Sequence, residues 1–132
     1  NINSKCCRQH WFNFSFKNTW KSQYKSGFKF DFTLGFNDSM GFRNSSCISF
    51  KPLDYKLKRI GLYSIPMILM DSHLYDYELN DEKKIRLKIK KLIDEVKFVG
   101  GVASINWHPH TLGNEYGWRE GYKHLIKYIK NN

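Results

Sequence analysis

The sequence predicts an α/β fold in which helices link mostly parallel strands into an incomplete, deformed (β/α) barrel. Three observations carry that reading. Phe28-Lys29-Phe30-Asp31-Phe32-Thr33-Leu34 alternates with period two, the mark of a strand. Two apolar runs, 63–70 and 101–107, have the length of buried strands. Two segments starting near Asn80 and Glu115 repeat apolar residues at helical spacing. Strands joined through helices make a parallel sheet or barrel. Three or four of them are too few to close one.

In order, residues 6–16 interleave aromatic and polar side chains and read as a strand emptying into a loop, with Arg8 and His10 on one face. Asn18 or Thr19 caps a short helix, and Gly27 closes it. In the following strand the phenylalanines share one side. Lys29, Asp31 and Thr33 share the other, where Asp31 is placed to line a site. Residues 35–52 form a long irregular connection rich in turn formers, and Arg43 there suits a grip on a carboxylate or a substrate oxygen. The run ending in Met70 is followed at once by Asp71, and His73 falls in the loop after it. Asn80-Asp81-Glu82 caps the strongest helix, whose stripe is Ile85, Ile89, Leu92, Val96 and Val99. Gly100-Gly101 ends it. The last strand runs through Asn106 and Trp107, and Pro109 stops it, leaving His108 at a carboxyl end, where α/β folds place their chemistry. The final helix, 115–130, turns Tyr122, Leu125, Ile126 and Ile129 to one side.

The chain has 132 residues, enough for one domain. It is 41% hydrophobic and 17% aromatic, which excludes a disordered chain. No apolar run reaches the roughly 18–20 residues of a membrane-spanning helix. The first residues carry neither a starting Met nor an apolar signal core, so a mature, excised or truncated chain is expected, cytoplasmic in preference to exported. The net charge of +10 favours anionic partners, but lysine dominates and is scattered, which speaks against nucleic acid as the specific partner. Cys6, Cys7 and Cys47 lack metal-ligand spacing and read as small buried hydrophobes, with a Cys47 bridge to Cys6 or Cys7 left open for an exported chain. No nucleophile elbow, phosphate-binding glycine loop or Asp-Asp pair is present. What remains is convergence of Arg8, Arg43, Asp31, Asp71 and His108 at the strand ends. A histidine with charged partners is a general acid/base arrangement. A metal held by His108 and His110 is the weaker alternative.

From about Arg8 to its end, the chain resembles polysaccharide deacetylase-like proteins of the NodB-homology carbohydrate esterases. The residues that carry the likeness are Arg8-Gln9-His10, Thr19-Trp20, Gly27 through Phe36, Gly41-Phe42-Arg43-Asn44-Ser45-Ser46-Cys47, Met70-Asp71-Ser72-His73-Leu74 and Trp107-His108, in order. The resemblance implies the C-terminal half of a NodB-type barrel that removes acetyl groups from a glycan with a divalent metal, zinc above others. His108 matches the histidine that protonates the leaving amine. Arg8 looks like the arginine that holds the catalytic aspartate. Arg43 and Asp71 look like pocket residues, with Asp71 counted beside His108 and Arg8 among the catalytic residues. Trp107 would flank the acetyl or sugar site, with His10 and Asp31 nearby as further substrate contacts. The family's Asp-Asp pair and His-x-x-x-His metal motif are absent and would precede Asn1, so no metal ligand is assigned in this chain. Ser45-Ser46-Cys47 also departs from the family's Gly-Thr-Cys turn. A second expectation, from composition, is a non-catalytic basic, aromatic-rich module binding acidic glycan or nucleic acid.

Overall fold

The computed structural model of the chain describes residues 4–76 and 81–132. It holds five short strands: β1 (Cys6–Cys7), β2 (Phe30–Asp31), β3 (Tyr63–Ser64), β4 (Met67–Met70) and β5 (Ser104–Asn106). Four α-helices accompany them: α1 (Thr19–Lys25), α2 (Asp71–Tyr75), α3 (Glu82–Phe98) and α4 (Arg119–Lys130). β1, β2 and β3 pair in parallel, with Cys6 opposite Phe30 and Phe30 opposite Tyr63. β4 and β5 pair in parallel, with Met70 opposite Asn106.

The apolar run 63–70 is broken between β3 and β4 because Pro66 has no N–H to give. Its neighbours bridge the break. Ile65 N donates to Asp31 O at 2.8 Å and Met67 N to Leu34 O at 3.0 Å, while Pro66 O accepts from Ser104 N at 2.7 Å. The strands therefore follow one another in chain order, all parallel, with their carboxyl ends on one side. The described residues do not close a barrel.

One core cluster joins Ile68 and Leu69 of β4 and Leu74 of α2 to Ile85, Ile89 and Leu92 of α3 and Leu125 of α4. A second gathers Trp20, Leu34, Ile60 and Leu62. α3 starts as its sequence dictates. The Asp81 carboxylate accepts from Lys83 N at 3.0 Å and Lys84 N at 3.3 Å, satisfying two donors that the first turn leaves open. Asn80, also expected in that cap, lies outside the described residues. Val99 does not extend the buried stripe: it caps the helix end and is 50% exposed. Gly35 follows Leu34 because no side chain fits there; a Cβ would sit 2.3 Å from Met67 Cε and 2.8 Å from Met67 O. α4 begins at Arg119, later than its periodicity suggests, after a turn in which Gly117 holds φ +72°.

Three local expectations are corrected. Asn18 stands at the N-cap of α1, but its side chain makes no capping bond, and the Thr19 hydroxyl accepts from Ser15 N at 2.8 Å and ties down the preceding loop. The polar side of β2 faces inward, with Asp31 and Thr33 fully buried, whereas Phe30 is part-exposed and stacks on Tyr63 of the neighbouring strand at 6.3 Å. The three cysteines are free, so the Cys47 bridge is not formed. Among the described residues, no helix is long and apolar enough to cross a membrane.

Candidate functional site

β4 and β5 are neighbours, so the residues that follow them meet although 37 positions separate them. Asp71, fully buried at the start of α2, points both carboxylate oxygens at the end of β5. Oδ1 lies 2.7 Å from His108 Nδ1 and accepts from Ser72 N at 3.0 Å. Oδ2 accepts from His108 N at 2.9 Å and from the Thr111 hydroxyl at 2.9 Å. Four donors thus meet one buried carboxylate, so both of its oxygens are hydrogen-bonded despite their burial. The carboxylate accepts from Nδ1 only if that nitrogen carries the proton, which fixes the tautomer and leaves Nε2 free. The His108 side chain is 42% exposed, so Nε2 can reach a solute.

Thr111 was not legible as a site residue, yet a signal exists. Pro109 starts a short 3₁₀ turn, Pro109–Leu112, which brings the residue three positions after His108 back beneath it. Its hydroxyl lies 2.7 Å from His108 O, and its N–H donates to the same oxygen at 3.1 Å.

His108 opens into a cavity of about 840 Å³ at the carboxyl ends of the strands. Arg8, His10, Trp107 and His108 all line it. Arg8 donates through Nε to Phe32 O at 3.3 Å and through a terminal nitrogen to Asn106 Oδ1 at 2.8 Å, joining the end of β1 to β5. Partial burial weakens the hold of its guanidinium on the proton, and the Asp31 carboxylate opposes that effect. Trp107 packs between Tyr75 and Tyr122, at 6.3 and 5.4 Å. Burial, with Glu82 adding to it, pushes the Tyr75 hydroxyl up to about 12, so it stays protonated at neutral pH. Residues that the sequence did not single out complete the wall, among them Trp11, Asn37, Ser72, Tyr116 and Trp118.

Two expected contacts lie elsewhere. Asp31 does not line the cavity. On the inward side of β2 it accepts from Trp20 Nε1 at 3.0 Å, Gln23 Nε2 at 2.8 Å, Thr33 N at 3.1 Å and the Ser64 hydroxyl at 3.2 Å. Arg43 is likewise absent from the lining. It donates to Gly35 O at 3.0 Å and lies over the rings of Phe14 and Phe16, so it braces the long connection.

His73 belongs to α2 rather than to a loop, and it is 1% exposed. Its Nδ1 accepts from Met70 N at 3.1 Å, a bond the protonated ring could not make. Burial holds its pKa below the ordinary 6.5, against smaller upward pulls from the backbone of Asn37 and Phe36. Because the unfolded chain takes up this proton first, stability is expected to fall as pH drops below about 6.5 and to level off beneath the folded-state value. Urea unfolding at several pH values should show this loss in the wild type and a flatter profile in His73→Asn.

The metal implied by the resemblance is not matched by the residues present. Among the described residues, no group of three His, Cys, Asp or Glu side chains is placed to hold an ion. His108 and His110 are near, with ring centres 5.5 Å apart, but His108 Nδ1 is committed to Asp71. The described residues do not form a metal centre by themselves.

The arrangement defines an α/β protein with a buried carboxylate–histidine pair opening into an aromatic-walled cavity at its strand ends. Compared with known proteins, the chain matches no family model, and no curated protein or solved structure matches it significantly.

Proposed function

We propose that this chain carries the proton-transfer side of a polysaccharide deacetylase-like hydrolase acting on an acetylated glycan. The observation that supports it most is the buried Asp71 carboxylate on His108 Nδ1, with the part-exposed His108 on the wall of a cavity that Arg8 and Trp107 also line. Parallel strands in chain order, with chemistry at their carboxyl ends, are also what the C-terminal half of a NodB-type barrel would contain.

In the proposed reaction, the oxygen of a water adds to the acetyl carbonyl carbon, and the bond from that carbon to the sugar nitrogen or oxygen breaks. His108 Nε2 takes a proton from the attacking water, which forms an imidazolium stabilised by Asp71, and then hands that proton to the departing atom. Arg8, tied to β5 through Asn106, brings fixed positive charge to the same wall.

The binding-module reading for acidic glycan or nucleic acid finds less support at this cavity. Among the described residues its lining holds Arg8 but no lysine, and it includes the acidic Asp76. The test of catalysis is acetate release from acetylated chitooligosaccharide, with added zinc, by this chain together with any coding sequence that adjoins it. Release that falls about 10²-fold or more in His108→Gln, with circular dichroism unchanged, supports the reading. No release with zinc, cobalt or manganese overturns it.

A further inference from the structure

After Arg8 the chain turns sharply, and two bulky residues in succession take left-handed backbone angles: Trp11 at φ 56° and Phe12 at φ 46°. Side chains other than glycine resist this region, and large aromatic ones resist it strongly. The turn is held in place from several sides. Gln9 N donates to the Thr33 hydroxyl at 3.0 Å, Phe12 N to Gln9 O at 3.1 Å and Asn13 N to His10 O at 3.2 Å. Phe12 is buried, at 6% exposure. Trp11 gains nothing comparable. It is 78% exposed, and among the described residues its one ring contact is an edge-on approach to His10 at 5.7 Å. An unfavourable backbone thus presents a large apolar plane to solvent at a cavity wall, and such strain gathers at ligand sites.

The same cavity carries further aromatic rings. Trp118 stacks on Tyr75, with centres 4.8 Å apart and planes 9° from parallel, and Tyr116 meets Trp118 edge-on at 5.2 Å. Among the described lining residues only Arg8 carries fixed positive charge, and its guanidinium already donates to Phe32 O and Asn106 Oδ1. A groove for a nucleic-acid strand would interleave its aromatics with several free lysines or arginines. The +10 net charge lies elsewhere on the molecule. The lining offers neutral hydrogen-bonding residues instead, Asn37, Ser72 and Asn106 among them.

We infer that Trp11 is a stacking platform for an uncharged sugar ring, and so a specificity-determining residue of this cavity. A pyranose has an apolar face of C–H groups that an indole plane covers and a rim of hydroxyls that neutral amides and hydroxyls bind. The inference rests on the proposed glycan reading, but it concerns binding and not hydrolysis.

The test uses fully N-acetylated chitotetraose as probe, with calorimetric titration of the wild type, Trp11→Ala and Trp11→Gly. The wild type should bind saturably, and both variants should lose at least tenfold in affinity. Trp11→Gly should melt no lower than the wild type, since glycine accepts the left-handed backbone freely. A merely structural tryptophan would give the reverse. Wild-type affinity in Trp11→Gly, a clearly lowered melting temperature for it, or no binding of chitotetraose to the wild type each overturns the inference. So does Trp11-dependent, steeply salt-sensitive binding of single-stranded oligothymidylate in its place. Trp11-dependent chitotetraose binding without acetate release upholds the platform and sinks the hydrolytic reading alone.

Discussion

Replacing Asp71 by asparagine is expected to lower acetate release by on the order of 10³–10⁴-fold and to destabilise the fold by about 1–3 kcal/mol. Both effects come from the same four hydrogen bonds. An amide of this shape must place its NH₂ where one carboxylate oxygen stood. At Oδ2 it would face His108 N, a backbone donor that cannot turn away. At Oδ1 it would face Ser72 N, although there it could donate to His108 Nδ1 if the ring gave up that proton. Either choice leaves one backbone N–H against another donor. The second is the less costly, because it loses a single bond and the ring adapts. It moves the imidazole proton to Nε2 and removes the charge that stabilises an imidazolium. Nitrogen-15 shifts of the His108 ring read the change directly: Nδ1–H in the wild type, Nε2–H in Asp71→Asn. Unchanged shifts with unchanged stability would mean that the pair does not exist in solution, and the proposed chemistry would lose its support. Asp71→Ala is the less informative variant, since it leaves the same donors facing an empty space.

The sequence made each partner of this pair visible but not the pairing. Pro109 must end a strand, so His108 had to stand at its carboxyl end. Asp71 follows an apolar run and had to stand at the end of another. Nothing local says that the two strands are neighbours; that is decided by β4 lying against β5 through the packing of Ile68, Leu69 and Ile105 with α3 and α4. The alternation around Arg8 and His10 put them on one face of an extended strand; the chain turns at His10–Phe12 instead, and both residues line the cavity by that route. Loops fared worse. Arg43 reads as a substrate grip because an arginine among turn formers has free donors; in the fold Gly35 O takes one, and two phenylalanine rings cover the charge. His73 reads as a loop residue because α2 is a single short turn with little periodicity to reveal it.

Asp31 shows the limit of periodicity most clearly, and it gives the largest expected effect on stability. Period two sorts Phe30 and Phe32 from Asp31 and Thr33, but it does not say which face turns inward. Apolar-in is the usual choice. Here the inner face is polar because α1 delivers Trp20 Nε1 and Gln23 Nε2 to it, β3 adds the Ser64 hydroxyl, and Asp31 answers all three as well as Thr33 N. Asp31→Ala would leave four donors buried with no acceptor. The expected loss is about 3–5 kcal/mol, a large share of the roughly 5–15 kcal/mol that holds a domain of this kind together. Asp31→Asn should lose less, because one oxygen still accepts. The effect should reach the cavity only indirectly, through Arg8, whose charge the Asp31 carboxylate favours. Urea unfolding followed by tryptophan fluorescence separates the two roles, since Trp20 reports on the site of the lesion. Asp31→Asn should shift the unfolding midpoint downward while chitotetraose affinity, measured where the variant is still folded, stays within a few-fold of the wild type. A midpoint near the wild-type value with affinity lost would instead make Asp31 a substrate contact, and the inward polar face of β2 would need another explanation.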